Sequence, residues 1–360
     1  MERQLTLVYA GKGSSHSWTW LADLFESRGI LNVRFVDSQG FSENLSAEVA
    51  HVMISGGDGF QIAESFGKHG FAHLKGYLHQ GGTYIGICAG AYLPLPSSIE
   101  PFNQFNLSST KVQNTSMDEL SEDTSPRIAV RYGSCAIVHP VRGEVELKAE
   151  DKVLRAPLYG GPVFSEPDMD DVLMRYHGFT EGTELQLEKT RTESMMLGKP
   201  AAIKSRHGKG TLLLFGPHLE HPRYPEANDA FIKFPRRPFI VTREERPEKG
   251  THGIDDENLA KAIADLKVAI LGLENRSFMV GNKLWDGSRF LELANAIERR
   301  AWTLGGYTAE RVTSGLQHTR DMLVEAKPET IAYADQGPGQ LVEAARICVD
   351  NHFRVLREKR

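Results

Sequence analysis

The stretch Thr83-Tyr-Ile-Gly-Ile-Cys-Ala-Gly-Ala-Tyr92 decides how the rest of the chain is read. An apolar strand-like run ends abruptly in Gly86-Ile-Cys-Ala-Gly90, which puts a cysteine between two glycines at a tight turn. The same spacing around a serine makes a nucleophile elbow. There, small flanking residues let a strand turn into a helix while the nucleophile is held strained and exposed. In this chain the nucleophile would be the Cys88 thiol. A helix starting at Ala89 would favour its thiolate through the unpaired N–H groups and partial positive charge of the first turn. A small cysteine buried beside packing glycines would leave the same trace, so the choice depends on partners elsewhere in the chain.

Upstream of this turn, strand and helix patterns alternate. An apolar, β-branched run over 5–10 stops at Gly11-Lys-Gly13, and Ser15 or Ser17 then caps a helix carrying Trp18, Leu21, Leu24 and Phe25 until Gly29 closes it. A strand over 33–36, a loop through Gly40 and Asn44, and a strand over 51–55 lead into Gly56-Gly-Asp-Gly59. Residues 61–79 are helical in pattern, with Gly67 and Gly70 as weak points, and Gly81-Gly82 precedes the strand that ends at Cys88. Strands alternating with helices on short connections predict a parallel sheet covered on both faces. Chemistry in such sheets gathers at the carboxyl ends of the strands, where the Gly56 turn and Cys88 would both lie.

Downstream, 103–125 is polar and reads as a loop or insertion, and short alternating segments over 127–131, 136–139, 145–148 and 153–157 read as added hairpins. Tyr159-Gly-Gly-Pro162 is another glycine turn and 173–176 is strand-like. Strands over 201–204 and 211–215 flank His207-Gly-Lys-Gly210, and the second delivers Gly216-Pro-His-Leu-Glu-His-Pro222. From 235 the composition shifts to Arg, Glu and Pro. Beyond it, four apolar stripes at helical spacing occupy 259–273, 290–302, 312–323 and 341–353. The expected organisation is an α/β domain over 1–234, a linker over 235–252 and a smaller all-helical bundle or cap over 253–360. The fold class is α/β, a doubly wound, mostly parallel sheet with added β-hairpins.

Composition narrows the function classes. The 360 residues are 40% hydrophobic and 25% charged with a net charge of -5, an ordinary globular balance without the basic surplus that nucleic acid would require. No run is long and apolar enough for a signal peptide or a membrane span. The three cysteines, at 88, 135 and 348, are too scattered for a disulfide framework or a CxxC metal site. A cytoplasmic protein with no cofactor, no metal, no nucleic acid and no membrane partner is expected.

A cysteine nucleophile needs a base, and the base needs a group that orients it. His218 and Glu220 supply both: in an extended chain they point to one face, so Glu220 would reach the ring while the ring meets the thiol. His221 is the competing base, with no carboxylate two residues on. The backbone N–H groups of Ala89 and Gly57, each at a strand end, would form an oxyanion hole. Asp58, in the same glycine turn, would bind a substrate amine or serve the turn itself, whose conformations Asp tolerates.

At this point the chain resembles the flavodoxin-like glutamine amidotransferase superfamily, and within it the N-terminal domain family of the larger biotin-protein ligases. The matching pieces come in family order: Tyr9-Ala-Gly11, Ser55-Gly-Gly-Asp58, Gly86-Ile-Cys-Ala-Gly-Ala-Tyr92, Tyr159-Gly-Gly-Pro162, and Gly208-Lys-Gly210 leading to Gly216-Pro-His-Leu-Glu220. The resemblance implies a Cys88–His218–Glu220 triad, an oxyanion role for Gly57 and Ala89, and acyl transfer or amide hydrolysis through a thioester. It also implies that Gly56, Asp58, Tyr92, Tyr159, Gly160 and Gly161 line the substrate site. Tyr92 stands where glutamine-hydrolysing members commonly carry Gln, which argues against glutamine as substrate. No biotin-adenylate loop of the Gly-Arg-Gly-Arg type and no Walker phosphate loop occurs, so biotin ligation is not expected. The expected activity is that of a cysteine hydrolase or acyltransferase on a small amide or peptide-like substrate. The alternative is a catalytically silent binding or regulatory module whose helical region meets a separate protein partner or forms a homodimer.

Overall fold

Alternate residues of the first strand enter two different cores, which is how a sheet buried on both faces is written in sequence. Leu7 and Tyr9 of β1 (Leu5–Tyr9) join one apolar cluster, while Val8 and the following Ala10 join the other. In the computed structural model, residues 4–113, 115–116, 128–132, 135–167, 170–242, 253–273, 276–325 and 336–358 are described.

The first half alternates as read: α1 (Trp18–Ser27), β2 (Val33–Val36), α2 (Ser38–Asn44), β3 (Val49–Ile54), α3 (Gly59–His79), β4 (Thr83–Ile87) and the one-turn α4 (Ala89–Tyr92). Helix α2 stands where a loop is expected from Gly40 and Asn44, because Asp37 caps it by accepting from the Gly40 N–H at 2.8 Å. Helix α3 is kinked at Gly67, whose φ of 53° and ψ of −171° leave the helical region. Strands β5 (Thr115–Ser116), β6 (Ala129–Tyr132) and β7 (Cys135–Val138) form a separate small sheet. The expected insertion over 103–125 and the segment starting at 127 fall partly outside the described residues. Strands β8 (Val141–Ala149), β9 (Lys152–Leu158) and β10 (Asp171–Leu185), helix α5 (Lys189–Met196), strands β11 (Pro200–His207) and β12 (Gly210–Phe215), and helix α6 (Pro225–Phe231) follow.

The main sheet has nine strands in the order β2-β1-β3-β4-β12-β11-β10-β8-β9. Its first five run parallel in the flavodoxin-like order 2-1-3-4-5, and the remaining four are joined antiparallel. The carboxyl ends of β1, β3, β4 and β12 therefore lie side by side, bringing together the turns after Tyr9, Ile54, Ile87 and Phe215.

The C-terminal region contains the four helices its apolar stripes predict: α7 (Glu257–Ile270), α8 (Gly287–Glu298), α9 (Gly306–Glu325) and α10 (Gln336–Glu358). It is not all-helical, however. Strands β13 (Ser277–Val280) and β14 (Lys283–Asp286) make a hairpin between α7 and α8 around Gly281-Asn282, with Gly281 at a φ of 57°. Each arm is only four residues long, too short for a periodicity signal, although a Gly-Asn pair between two such runs is itself a hairpin mark. Part of the expected linker, 243–252, lies outside the described residues.

The helices share the sheet's core. Phe353 of α10 packs on Phe35 of β2 with ring centroids 5.1 Å apart. Asp350 accepts from the Phe35 N–H at 2.9 Å and Arg357 donates to the Leu31 and Val33 carbonyls, so α10 covers the polar edge of the outermost parallel strand. Arg300, 1% exposed, reaches Asp23 at 2.6 Å and Glu26 at 2.8 Å on α1. Among the described residues, no helix is long and apolar enough to cross a membrane.

Candidate active site

Cys88 sits between β4 and α4 with a φ of 53° and a ψ of −109°, in a region that side chains other than glycine rarely adopt. Its glycine neighbours are required by close approach. A Cβ on Gly90 would lie 2.0 Å from the Ile54 carbonyl oxygen, and one on Gly86 would lie 2.4 Å from that of Gly90. The strained turn is held from both sides: the Cys88 N–H donates to Phe215 O at 2.9 Å and the Gly90 N–H to Ser55 O at 3.2 Å. The pentapeptide is thus an elbow in geometry, and Ala89 opens a helix whose first N–H groups have no partner within it.

Strand β12 ends beside the elbow and delivers His218, whose Nδ1 lies 2.7 Å from Glu220 Oε1. Both side chains are buried, at 2% and 0% exposure. Glu220 also accepts from Ser55 Oγ at 3.2 Å, and Ser55 is bonded in turn to Ser17 Oγ at 2.9 Å. Ser17 is therefore not the side-chain cap expected for α1; its hydroxyl instead accepts from the Gly56 N–H at 3.0 Å. Gly56 lies flat against the imidazole, where an added Cβ would come within 3.1 Å of His218 Cε1. The His218 ring also meets Trp20 at 5.2 Å in an edge-to-face arrangement and Tyr159 at 5.9 Å.

Burial pushes the Cys88 thiol up, but the charge and hydrogen bond of His218, with Lys283 adding to them, bring it below its ordinary value. Burial opposes a charged His218, yet Glu220 and Cys88 together raise it well above the usual histidine range. The two shifts have one cause: a thiolate and an imidazolium stabilise each other in a site where neither would be charged alone. His221 goes the other way, held down to about 4 by burial and by the neighbouring His218 and Arg223. Its Nδ1 accepts from the Arg223 N–H at 3.2 Å, and its ring lies 4.4 Å from Trp20.

The thiol opens into a cavity of about 490 Å³ between the strand ends and the β13–β14 hairpin. Gly56, Gly57, Asp58, Ala89, Tyr92, Tyr159 and Gly160 all line it. Ser14 and Gly57 form an antiparallel bridge of the type whose own amides point outward, because its hydrogen bonds are Ser15 N–H to Gly56 O and Asp58 N–H to Gly13 O. The Gly57 N–H is thereby turned away from the Ser14 strand. Tyr92 donates its hydroxyl to Gly160 O at 3.2 Å, tying the elbow helix to the Tyr159 turn.

Two expected substrate contacts differ. Asp58 uses one carboxylate oxygen to cap α3 through the Phe60 and Gln61 N–H groups, and the other to accept from the Asn282 N–H at 2.7 Å. Its carboxylate organises backbone. Gly161 is absent from the cavity wall; it packs against Gly216, whose carbonyl oxygen would lie 1.9 Å from an added Cβ. Residues that sequence did not single out also belong to the wall, among them Trp20, His139 and Lys283. Trp20 lies one position off the apolar stripe of α1, and nothing local marks the other two.

Residues 5–112 match the family model described as Biotin-protein ligase, N terminal. The biotin-protein ligase N-terminal match contains β1 to β4 and the Cys88 elbow, and ends well before His218 and Glu220. No curated protein matches the chain. Solved structures similar to it include a glutamine amidotransferase, at 16% identity over 64% of this chain and 97% of that one with a TM-score of 0.40. A ThuA-like protein from Bacteroides uniformis is similar at 12% identity over 63% and 87%, with a TM-score of 0.37. A β-galactosidase from Bacillus circulans is similar at 10% identity over 63% of this chain and 30% of its own, with a TM-score of 0.33. Likenesses at this level carry no residue roles.

Proposed function

We propose that the chain is an amidotransferase-like cysteine hydrolase or acyltransferase acting on a small amide or peptide-like substrate. The observation that carries this reading is a buried His218, held 2.7 Å from Glu220 and near enough to the strained Cys88 for each to shift the other's titration. Glu220 fixes the tautomer and stabilises the imidazolium, as the third member of a nucleophile–base–orienter set does. The thiolate adds to the substrate carbonyl, and the N–H groups of Ala89 and Gly57 receive the developing oxyanion. The C–N bond then breaks, with His218 passing its proton to the departing amine, and a thioester remains on Cys88. Water, or an acceptor amine, attacks the thioester with its proton taken by His218, which returns the thiol and releases the acid or the transferred acyl group.

The test is the rate of Cys88 alkylation by iodoacetamide against pH, in the wild type and in His218→Ala. A thiolate titrating below the ordinary cysteine value of about 8.5, and lost in His218→Ala, supports the reading. A thiol no faster than a model peptide, with or without His218, removes the nucleophile. Turnover of an amide and ester panel by the wild type and not by Cys88→Ser then identifies the substrate class.

A further inference from the structure

The cavity beyond Cys88 has a wall that the proposed chemistry leaves unused. His139, between β7 and β8, is 5% exposed and lies against Gly160, whose added Cβ would meet its ring at 3.3 Å. Both of its ring nitrogens are buried without a hydrogen-bond partner. A buried polar group left unsatisfied is costly, so such a ring beside a cavity marks a place where a ligand supplies the missing bond. The hairpin brings Lys283 to the same cavity, near enough to interact electrostatically with both Cys88 and His139. Among the described residues the Lys283 side chain makes no hydrogen bond or salt bridge.

We propose that Lys283 and His139 form a carboxylate subsite beside Cys88, so that the substrate is an amide or peptide-like molecule carrying a carboxylate close to its scissile carbonyl. This rests on the reading of Cys88 as nucleophile and deepens it. Lys283 supplies the charge, while His139, kept neutral by burial and its cationic neighbours, supplies one N–H donor. Burial holds Lys283 below its ordinary value, with Cys88 and Asp58 acting against that and Arg289 and Arg142 adding to it. The rest of the wall favours a single negative charge over a phosphate dianion. Arg142, Arg223 and Arg289 are offset there by Asp58, Glu184, Asp286 and Glu292. Both subsite residues lie outside the segment 5–112 that the family model matches.

Iodoacetate and iodoacetamide read this subsite directly. The Cys88 thiolate displaces iodide from the same carbon in each, and the probes differ only in a carboxylate against a neutral amide. With the full chain, modification is followed on the Cys88 peptide at a pH where the iodoacetamide rate has reached its plateau. Each rate is taken as the ratio of iodoacetate to iodoacetamide and compared with that of a model cysteine peptide. Wild type is expected to exceed the peptide ratio by about tenfold, the scale of one hydrogen bond to a charged group. Lys283→Gln and His139→Phe are each expected to lower that ratio severalfold, and acetate to protect against iodoacetate.

A wild-type ratio equal to that of the peptide overturns the subsite, even where the iodoacetamide profile is that of an activated thiol. A raised ratio unchanged in both variants overturns it as well, since the His218 imidazolium alone would then account for the preference. Protection by inorganic phosphate and not by acetate overturns the carboxylate assignment. Failure of the nucleophile reading shows separately, as an unperturbed iodoacetamide pH profile.

Discussion

The Asn282 backbone N–H donates to the Asp58 carboxylate at 2.7 Å, fastening the turn of the C-terminal hairpin to the N-cap of α3, thirty residues ahead of the cysteine elbow. Gly281 fits this junction because a Cβ there would lie 2.7 Å from Asp58 Oδ2 and 2.3 Å from Gln61 Nε2. Two distant parts of the chain are thus joined at the mouth of one cavity.

Asp58→Ala removes the helix cap and the hairpin anchor together. A cap alone is worth about 1 kcal/mol, so the expected loss in urea denaturation is about 1–2 kcal/mol. Limited proteolysis should also cut within 277–286 faster than in the wild type. Unchanged protection of the hairpin would show that its packing on α8 suffices.

The paired shifts of Cys88 and His218 set a pH window. Alkylation should rise as pH passes the lowered Cys88 value and then level off, whereas amide turnover, which needs the His218 proton, should fall again when His218 deprotonates above the usual histidine range. The stability linked to His218 is fully present below its ordinary 6.5 and is lost as pH rises through about 10, because its folded value is the higher one. His218→Ala leaves burial as the main influence on the thiol, so its titration should move up and alkylation near neutral pH should fall by about 100-fold. Stopped-flow alkylation across pH measures both.

Arg300 is the buried link between α8 and α1. Arg300→Ala removes the cation that Asp23 and Glu26 share, leaving Asp23 with Arg299 and Glu26 with His352, and the expected destabilisation is about 2–3 kcal/mol. Arg300→Lys should recover part of it, since an ammonium reaches one carboxylate but lacks the planar fork that serves both. Thermal and urea unfolding of the two variants gives the comparison.

Glu26 provides an acid-sensitive contact. Burial would raise its carboxyl, but His352, 3.0 Å away, and Arg300 lower it to about 2. A lowered folded value means that the stabilisation is present above the ordinary 4.5 and is lost as pH falls through about 2. The loss is on the order of 3 kcal/mol. In Glu26→Gln the slope of unfolding free energy between pH 4.5 and pH 2 should be correspondingly shallower.

The parallel half of the fold was legible because its signals are local: apolar runs of strand length, glycines at their ends and helical stripes between them. The His218–Glu220 pair could be read for the same reason, since an extended chain places residues two apart on one face. The contacts of Asp58 are not written in its glycine turn: one oxygen caps α3 and the other is taken from far along the chain. That oxygen met the turn of a hairpin too short to show a period.

By itself, the sequence determined that Cys88 lies on a tight turn between strand and helix. Only glycine tolerates the approach of the Ile54 and Gly90 carbonyls, and that constraint is written in adjacent residues. What surrounds the thiol was decided by the tertiary structure alone. Trp20, His139 and Lys283 come from α1, the β7–β8 junction and the C-terminal hairpin, and their meeting depends on strand order and on helices docking over the sheet. Long-range packing of that kind leaves no periodic mark on the segments it joins.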